Sequence, residues 1–151
     1  MGKKSSSGSR HPDYKAITYA GFLHLPNVVT AEENFISLSG SALKLLVDVA
    51  RQYNGSNNGN LCMAMKLMKE RGWNSNNLLN KAKQELISKN WITKTKQGGM
   101  GIGADLFAIT WQPINDCGGK LEVPSTTLAP RKFKPLPKKN ATPISGAENT
   151  R

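Results

Sequence analysis

Two β-prone runs around a glycine loop restrict this chain more than any other feature. WITKT (91–95) alternates large or β-branched side chains with polar ones, and LFAITW (106–111) answers it, while KQGGMGIGAD (96–105) between them holds four glycines. Two strands joined by a Gly-rich loop predict a β-hairpin. The loop does not predict a nucleotide site. GGMGIG lacks the Lys-Ser/Thr of a P-loop, and a strand follows it where a dinucleotide-binding turn needs a helix.

Ahead of the hairpin the hydrophobic period changes to that of helices. Ala42, Leu45, Leu46, Val49 and Ala50 form the i, i+3, i+4, i+7, i+8 stripe of a half-buried helix over 41–53, with Ser39 or Ser41 as its cap. NGSNNGN (54–60) ends it, because Asn and Gly tolerate positive φ. A second helix is expected over 61–71, capped by Asn60, with Leu61, Ala64, Met65 and Met68 on one face and Leu67 beside them. Gly72 suits the residue after its last turn. Ser75 is expected to cap a third helix reaching about Lys89, with Leu79, Ala82 and Leu86 inward and Leu78 and Ile87 on the flanks. Its opposite face offers Asn77, Asn80, Lys81 and Gln84.

Helix, helix, short turn, helix and hairpin form a helix-turn-helix with a wing. LSGSALKLL, YNGSNNGNL, ERGWNS, LISKNWITKTKQGG and FAITWQPI together resemble winged helix-turn-helix DNA-binding proteins of phages, prophages and plasmids, of replication-initiator or regulator type. The resemblance spans about residues 20–120. It implies a mainly α fold with a small β-hairpin wing, and a DNA-binding role in transcription regulation or replication of a phage or mobile element. In such proteins the third helix often carries Thr or Ser and a Leu near its middle. Here Leu78, Asn80 and Lys83 stand there, so the base-facing residues and the target are individual to this chain.

Charge agrees with a polyanion partner. The chain has 21 Lys and Arg against 10 Asp and Glu, a formal +11. Residues 39–111 hold ten basic against four acidic side chains, a net +6. Each cation that neutralises a phosphate releases condensed counterions. On the third helix Asn76, Asn77 and Asn80, with Gln84 next along, can pair donor and acceptor with an adenine edge, while Lys81 and Lys83 reach phosphate or guanine. The first-turn amides can hold a phosphate as well. On the wing, Lys94, Lys96 and Gln97 are expected at phosphates or the minor groove. The alternative function is a protein-interaction module on the same scaffold, such as a phage protein that binds a host defence component. A homodimer through FLHLPNVV (22–29) or the first helix is a further expectation, a host or phage protein being the other protein partner considered.

The expected divisions are a disordered N-terminal tail (1–19), the winged helix domain (20–119, core 39–111) and a Pro-rich basic tail (120–151). Six of the eight prolines follow Trp111 among Lys, Arg, Ser and Thr, a composition expected to bury little. Trp73, Trp91 and Trp111 are expected in the core. No catalytic constellation is expected: acidic residues are scattered, His11 and His24 are isolated, and there is no Gly-x-Ser-x-Gly elbow. Cys62 and Cys117 lack CxxC partners, so neither a metal nor any other cofactor is expected. A loose myristoylation pattern at Gly2 and Ser6 is taken as chance, no membrane span is expected, and the cytoplasm is the expected compartment.

Overall fold

Apolar stripes at helical spacing become helices wherever a cap starts them and a partner surface covers them. A computed structural model describes residues 21–138. Two short helices, α1 (Asn27–Thr30) and α2 (Glu33–Ile36), lead into α3 (Gly40–Ala50), whose cap is Ser39, its side chain accepting from the Ala42 amide. After β1 (Leu61–Cys62) come α4 (Met65–Lys69) and α5 (Asn76–Ser88), then β2 (Ile92–Lys96), β3 (Leu106–Ile109) and a 3-10 turn at Cys117–Gly119. The described residues thus form a small α/β domain of five α-helices and one antiparallel sheet of order β1-β3-β2.

The expected hairpin is present. Ile92 pairs with Ile109, Thr93 with Ala108 and Lys94 with Phe107, and the register then slips so that Lys96 faces Leu106. The slip leaves Thr95 without a partner on β3. Its side chain is buried instead, donating to the Gly59 carbonyl. The core lies between α3, α5 and the sheet, and Leu45, Leu46, Leu86, Ile92, Phe107 and Ile109 are all essentially inaccessible. Trp73, Trp91 and Trp111 belong to that core, and Trp91 meets Trp111 edge-on.

The helix expected over 61–71 is shorter and starts later. Leu61 and Cys62 pair with Phe107 and Leu106 as the third strand, and only Met65–Lys69 is helical. Asn60 is no cap; Ala64 precedes this helix without a side-chain hydrogen bond. The reason is competition for the backbone. The Gln52 amide clamps Cys62 on both sides, donating to its carbonyl (2.8 Å) and accepting from its N–H (2.9 Å), while β3 offers a free edge. Leu61 and Met63 then alternate inward as a strand requires. Gly72 does end α4 as expected, at φ +89, with Trp73 N–H reaching back to the Met68 carbonyl.

The segment after Trp111 buries little, as its composition suggests, yet single residues of it make specific contacts. Of the expected tail, residues 120–138 are described; none of them is buried, but Leu121, Arg131 and Phe133 touch the domain. Asn58, fully buried, donates to the carbonyls of Ile109, Gln112 and Pro113 and accepts from the Ile109 amide. The Leu121 methyl sits over Gly59, where a Cβ would come within 2.5 Å of it. Arg131 stacks 3.9 Å above the Trp91 ring and donates to the carbonyls of Lys89 and Asn90, and Phe133 stacks on the same indole. Prolines fix φ and remove donors, so this chain is extended; its isolated apolar and cationic side chains dock one at a time. The core therefore reaches beyond 39–111, taking in Val29 and Ile114. Residues 1–20 and 139–151, including the 1–19 tail, lie outside the described residues.

Candidate nucleic-acid interface

The third of the expected helices, α5, is built as the sequence suggests. The Ser75 hydroxyl accepts from the Leu78 amide at 3.2 Å, and Asn90 at φ +59 closes the far end, with Trp91 N–H on the Leu86 carbonyl. Leu79, Ala82 and Leu86 are buried. At about 100° per residue this turns Asn77, Asn80, Lys81 and Gln84 to solvent, and all four are exposed, as is Asn76 in the first turn. Their side chains have no hydrogen-bond or ion-pair partner among the described residues. Leu78, which the sequence reading left on the flank of the core, is 46 % exposed at the edge of this polar surface.

What fixes this face in space is a polar hub the sequence reading missed. Asp48, buried in α3, receives Lys44 Nζ (2.7 Å), Arg71 Nε (2.9 Å) and Trp73 Nε1 (2.8 Å). Burial pushes its pKa up, but these donors outweigh that and hold the carboxyl below its ordinary value. Arg71 and Trp73 lie in the turn before α5, so the hub ties the start of α5 to α3. A second tie runs from the Ser39 amide to Glu85 Oε2 at 2.8 Å.

The wing residues are placed differently from one another. Lys94 is committed: its Nζ lies 2.9 Å from Asp105 Oδ2 and donates to Gln97 Oε1 at 3.0 Å. Gln97 in turn donates to Asp105 Oδ1 at 3.2 Å, and Gly98 N–H reaches the same oxygen at 2.7 Å. Lys94 foremost, then the Gly98 amide, hold the Asp105 carboxyl below its ordinary pKa against a smaller effect of burial, and the charge of Lys83 adds to this. Lys83 is half-buried, its Nζ 5.8 Å from the centre of the Phe107 ring. Lys96 is half-buried, with no ion-pair partner among the described residues. The structure thus brings Lys83, Lys94, Gln97 and Asp105 together where α5 meets the hairpin. Asp105 was legible in principle, as the sole acidic residue between Glu85 and Asp116.

Protein-family models, curated proteins and solved structures gave no match to this chain. Among the described residues no helix is long and apolar enough to cross a membrane, and no cluster of three His, Cys, Asp or Glu is placed to hold a metal ion. Cys62 and Cys117 are both free thiols, and burial pushes the Cys117 thiol up. An open hollow of about 910 Å³ beside the end of α3 is lined by Phe22, His24, Arg51, Tyr53 and Arg71 among others. None of the expected site residues lines it.

Proposed function

We propose that this protein binds double-stranded DNA, with α5 in the major groove and the β2–β3 hairpin alongside as a wing, in transcription control or replication of a phage or mobile element. The observation that carries this is the face of α5: carboxamides and a lysine at helical spacing, exposed and unpartnered, on a helix held rigidly by buried contacts beneath. Against the edges of bases each carboxamide can satisfy a donor and an acceptor at once, and a helix has the width of the major groove. The order α3, α4, α5, hairpin, with β1 completing the sheet, supports the winged helix reading. The local charge supports a polyanion.

A gel-shift salt titration on mixed-sequence duplex DNA tests the reading. Affinity is expected to fall steeply as salt rises, since several phosphates are neutralised. No shift even at low salt would refute it. An Asn77/Asn80/Lys81 triple alanine variant that binds duplex as well as the native protein would move α5 to the role of a protein dock.

A further inference from the structure

The tip of the hairpin carries no charge at all, which does not fit a part that only clamps phosphates. Between Gln97 and Asp105 the side chains are those of Met100, Ile102 and Ala104, and the rest is glycine. Met100 is fully exposed and Ile102 is 63 % exposed. Apolar side chains grouped on one exposed tip mark a surface that a partner can receive.

This tip is also shaped. Gly99 and Gly103 pair across it, Gly99 N–H donating to the Gly103 carbonyl at 2.9 Å and Ile102 N–H to the Gly99 carbonyl at 3.2 Å. Gly98 is pressed against the opposite strand, where a Cβ would stand 2.4 Å from the Ala104 carbonyl carbon. Bare glycine backbone on both sides makes the end of the hairpin thin. Ile102 folds back over Gly99, whose Cβ, if present, would lie 3.5 Å from the Ile102 Cδ1. Met100, fully exposed, projects from the tip with no such backing. Below it the hairpin is braced by the Asp105 contacts with Lys94, Gln97 and Gly98, and Lys83 of α5 lies beside that brace. The projecting tip is therefore continuous with the α5 surface.

Resting on the DNA-binding reading above, we propose that Met100 is a wedge that enters the minor groove beside the α5 contact and parts one base step, with Ile102 as its buttress. A minor groove is about 6 Å wide and admits a thin hairpin edge but not a decorated one. Apolar side chains inserted between base pairs bend duplexes towards the major groove. An unbranched thioether adapts its shape to such a slot. At the base of the hairpin Lys83, Lys94 and Lys96 outnumber Asp105 and Glu122, whose Oε2 accepts from the Gln97 N–H, and this small positive excess below an uncharged tip suits a duplex.

The test uses the full chain and an end-labelled mixed-sequence duplex, read by energy transfer between its ends, with the same duplex carrying one T·T mismatch as a second probe. The native protein is expected to bend the duplex by roughly 20–90° and to prefer the mismatched probe by about tenfold, because the mismatch has already lost part of its stacking. Met100→Leu keeps both properties. Met100→Gln, similar in length but polar, loses the bend and the preference while its unfolding midpoint stays native, the side chain being fully exposed. Native binding without a bend, or an equal bend with Met100→Gln, overturns the wedge and leaves DNA binding standing. No binding to either probe overturns both readings. Met100-dependent binding to anionic lipid vesicles in place of the bend assigns the tip to a lipid surface and overturns the wedge.

Discussion

Replacing Asp105 by Asn keeps the size of the side chain and one acceptor oxygen, but removes the charge that holds Lys94. The ion pair is 40 % and 30 % exposed at its two ends, so by itself it contributes about 0–1 kcal/mol. The bond from Gly98 N–H is the larger part: a donor on a carboxylate is worth about 1.5–3 kcal/mol and on an amide about 1 kcal/mol. Asp105→Asn is therefore expected to cost about 1–2 kcal/mol, and Asp105→Ala about 2–3 kcal/mol because the Gly98 amide then has only water. The loss falls mainly on the hairpin end, so amide exchange at Gly98 and Gly99 should speed up in Asp105→Ala by more than about tenfold, with less change in the urea midpoint. On DNA the two variants share one effect. Lys94 is released, and one more phosphate contact should steepen the slope of log affinity against log salt by about 0.9. The native brace follows the sign of a depressed carboxylate: its contribution is complete above the ordinary carboxylate range and is lost as pH falls through the lowered pKa. The protection factor at Gly98, its exchange rate relative to the intrinsic rate at each pH, should thus fall only in acid. A salt slope for Asp105→Asn equal to the native one would refute the reasoning, since Lys94 would then not be withheld from DNA by Asp105.

Asn80→Ala should relax sequence preference and cost about 1–3 kcal/mol at a preferred site, while Lys96→Ala should weaken all duplexes alike and lower the salt slope by about one unit; indistinguishable profiles on a panel of selected oligonucleotides would remove α5 as the base-contacting helix. Asn58→Ala leaves the Ile109 amide buried and unpaired and should cost about 3–5 kcal/mol in urea unfolding. Asn58→Asp sets a carboxylate against the carbonyls of Ile109, Gln112 and Pro113, so its pKa rises in the fold and its stability should fall as pH climbs from 4 to 7; a pH-independent midpoint would contradict this. Truncation after Gly119 removes the Arg131 and Phe133 contacts with Trp91 and should destabilise the domain by about 3 kcal/mol or more, with Arg131→Ala alone supplying much of that; an unchanged midpoint would mean that these contacts do not hold the domain together.

Local patterns determined much of this protein. Ser39 and Ser75 start helices because a hydroxyl meets an orphan amide wherever the chain places it, and a stripe at 3.6-residue spacing selects its own inward face. The same logic made Asn77, Asn80, Lys81 and Gln84 legible as one outward surface before any packing was known. Four glycines between β-prone runs were enough for the hairpin. What only the tertiary structure decided involves partners distant in sequence. Leu61 and Cys62 carry an apolar run that suits a helix or a strand, and the Gln52 clamp and the open edge of β3 made it a strand. Asn58 looked like one turn residue among several, yet its amide joins the end of β3 to the chain beyond it. Arg131 looked like part of a solvated charge run, and it lies on Trp91 because that indole and the Lys89 and Asn90 carbonyls just after α5 share one surface. Lys94 and Lys96 are near neighbours on one strand, but a register slip and Asp105 across the hairpin bind the first and leave the second free of any ion pair among the described residues. Hydrogen bonds between residues close in sequence are set by local geometry, whereas these depend on which surfaces meet once the core has closed.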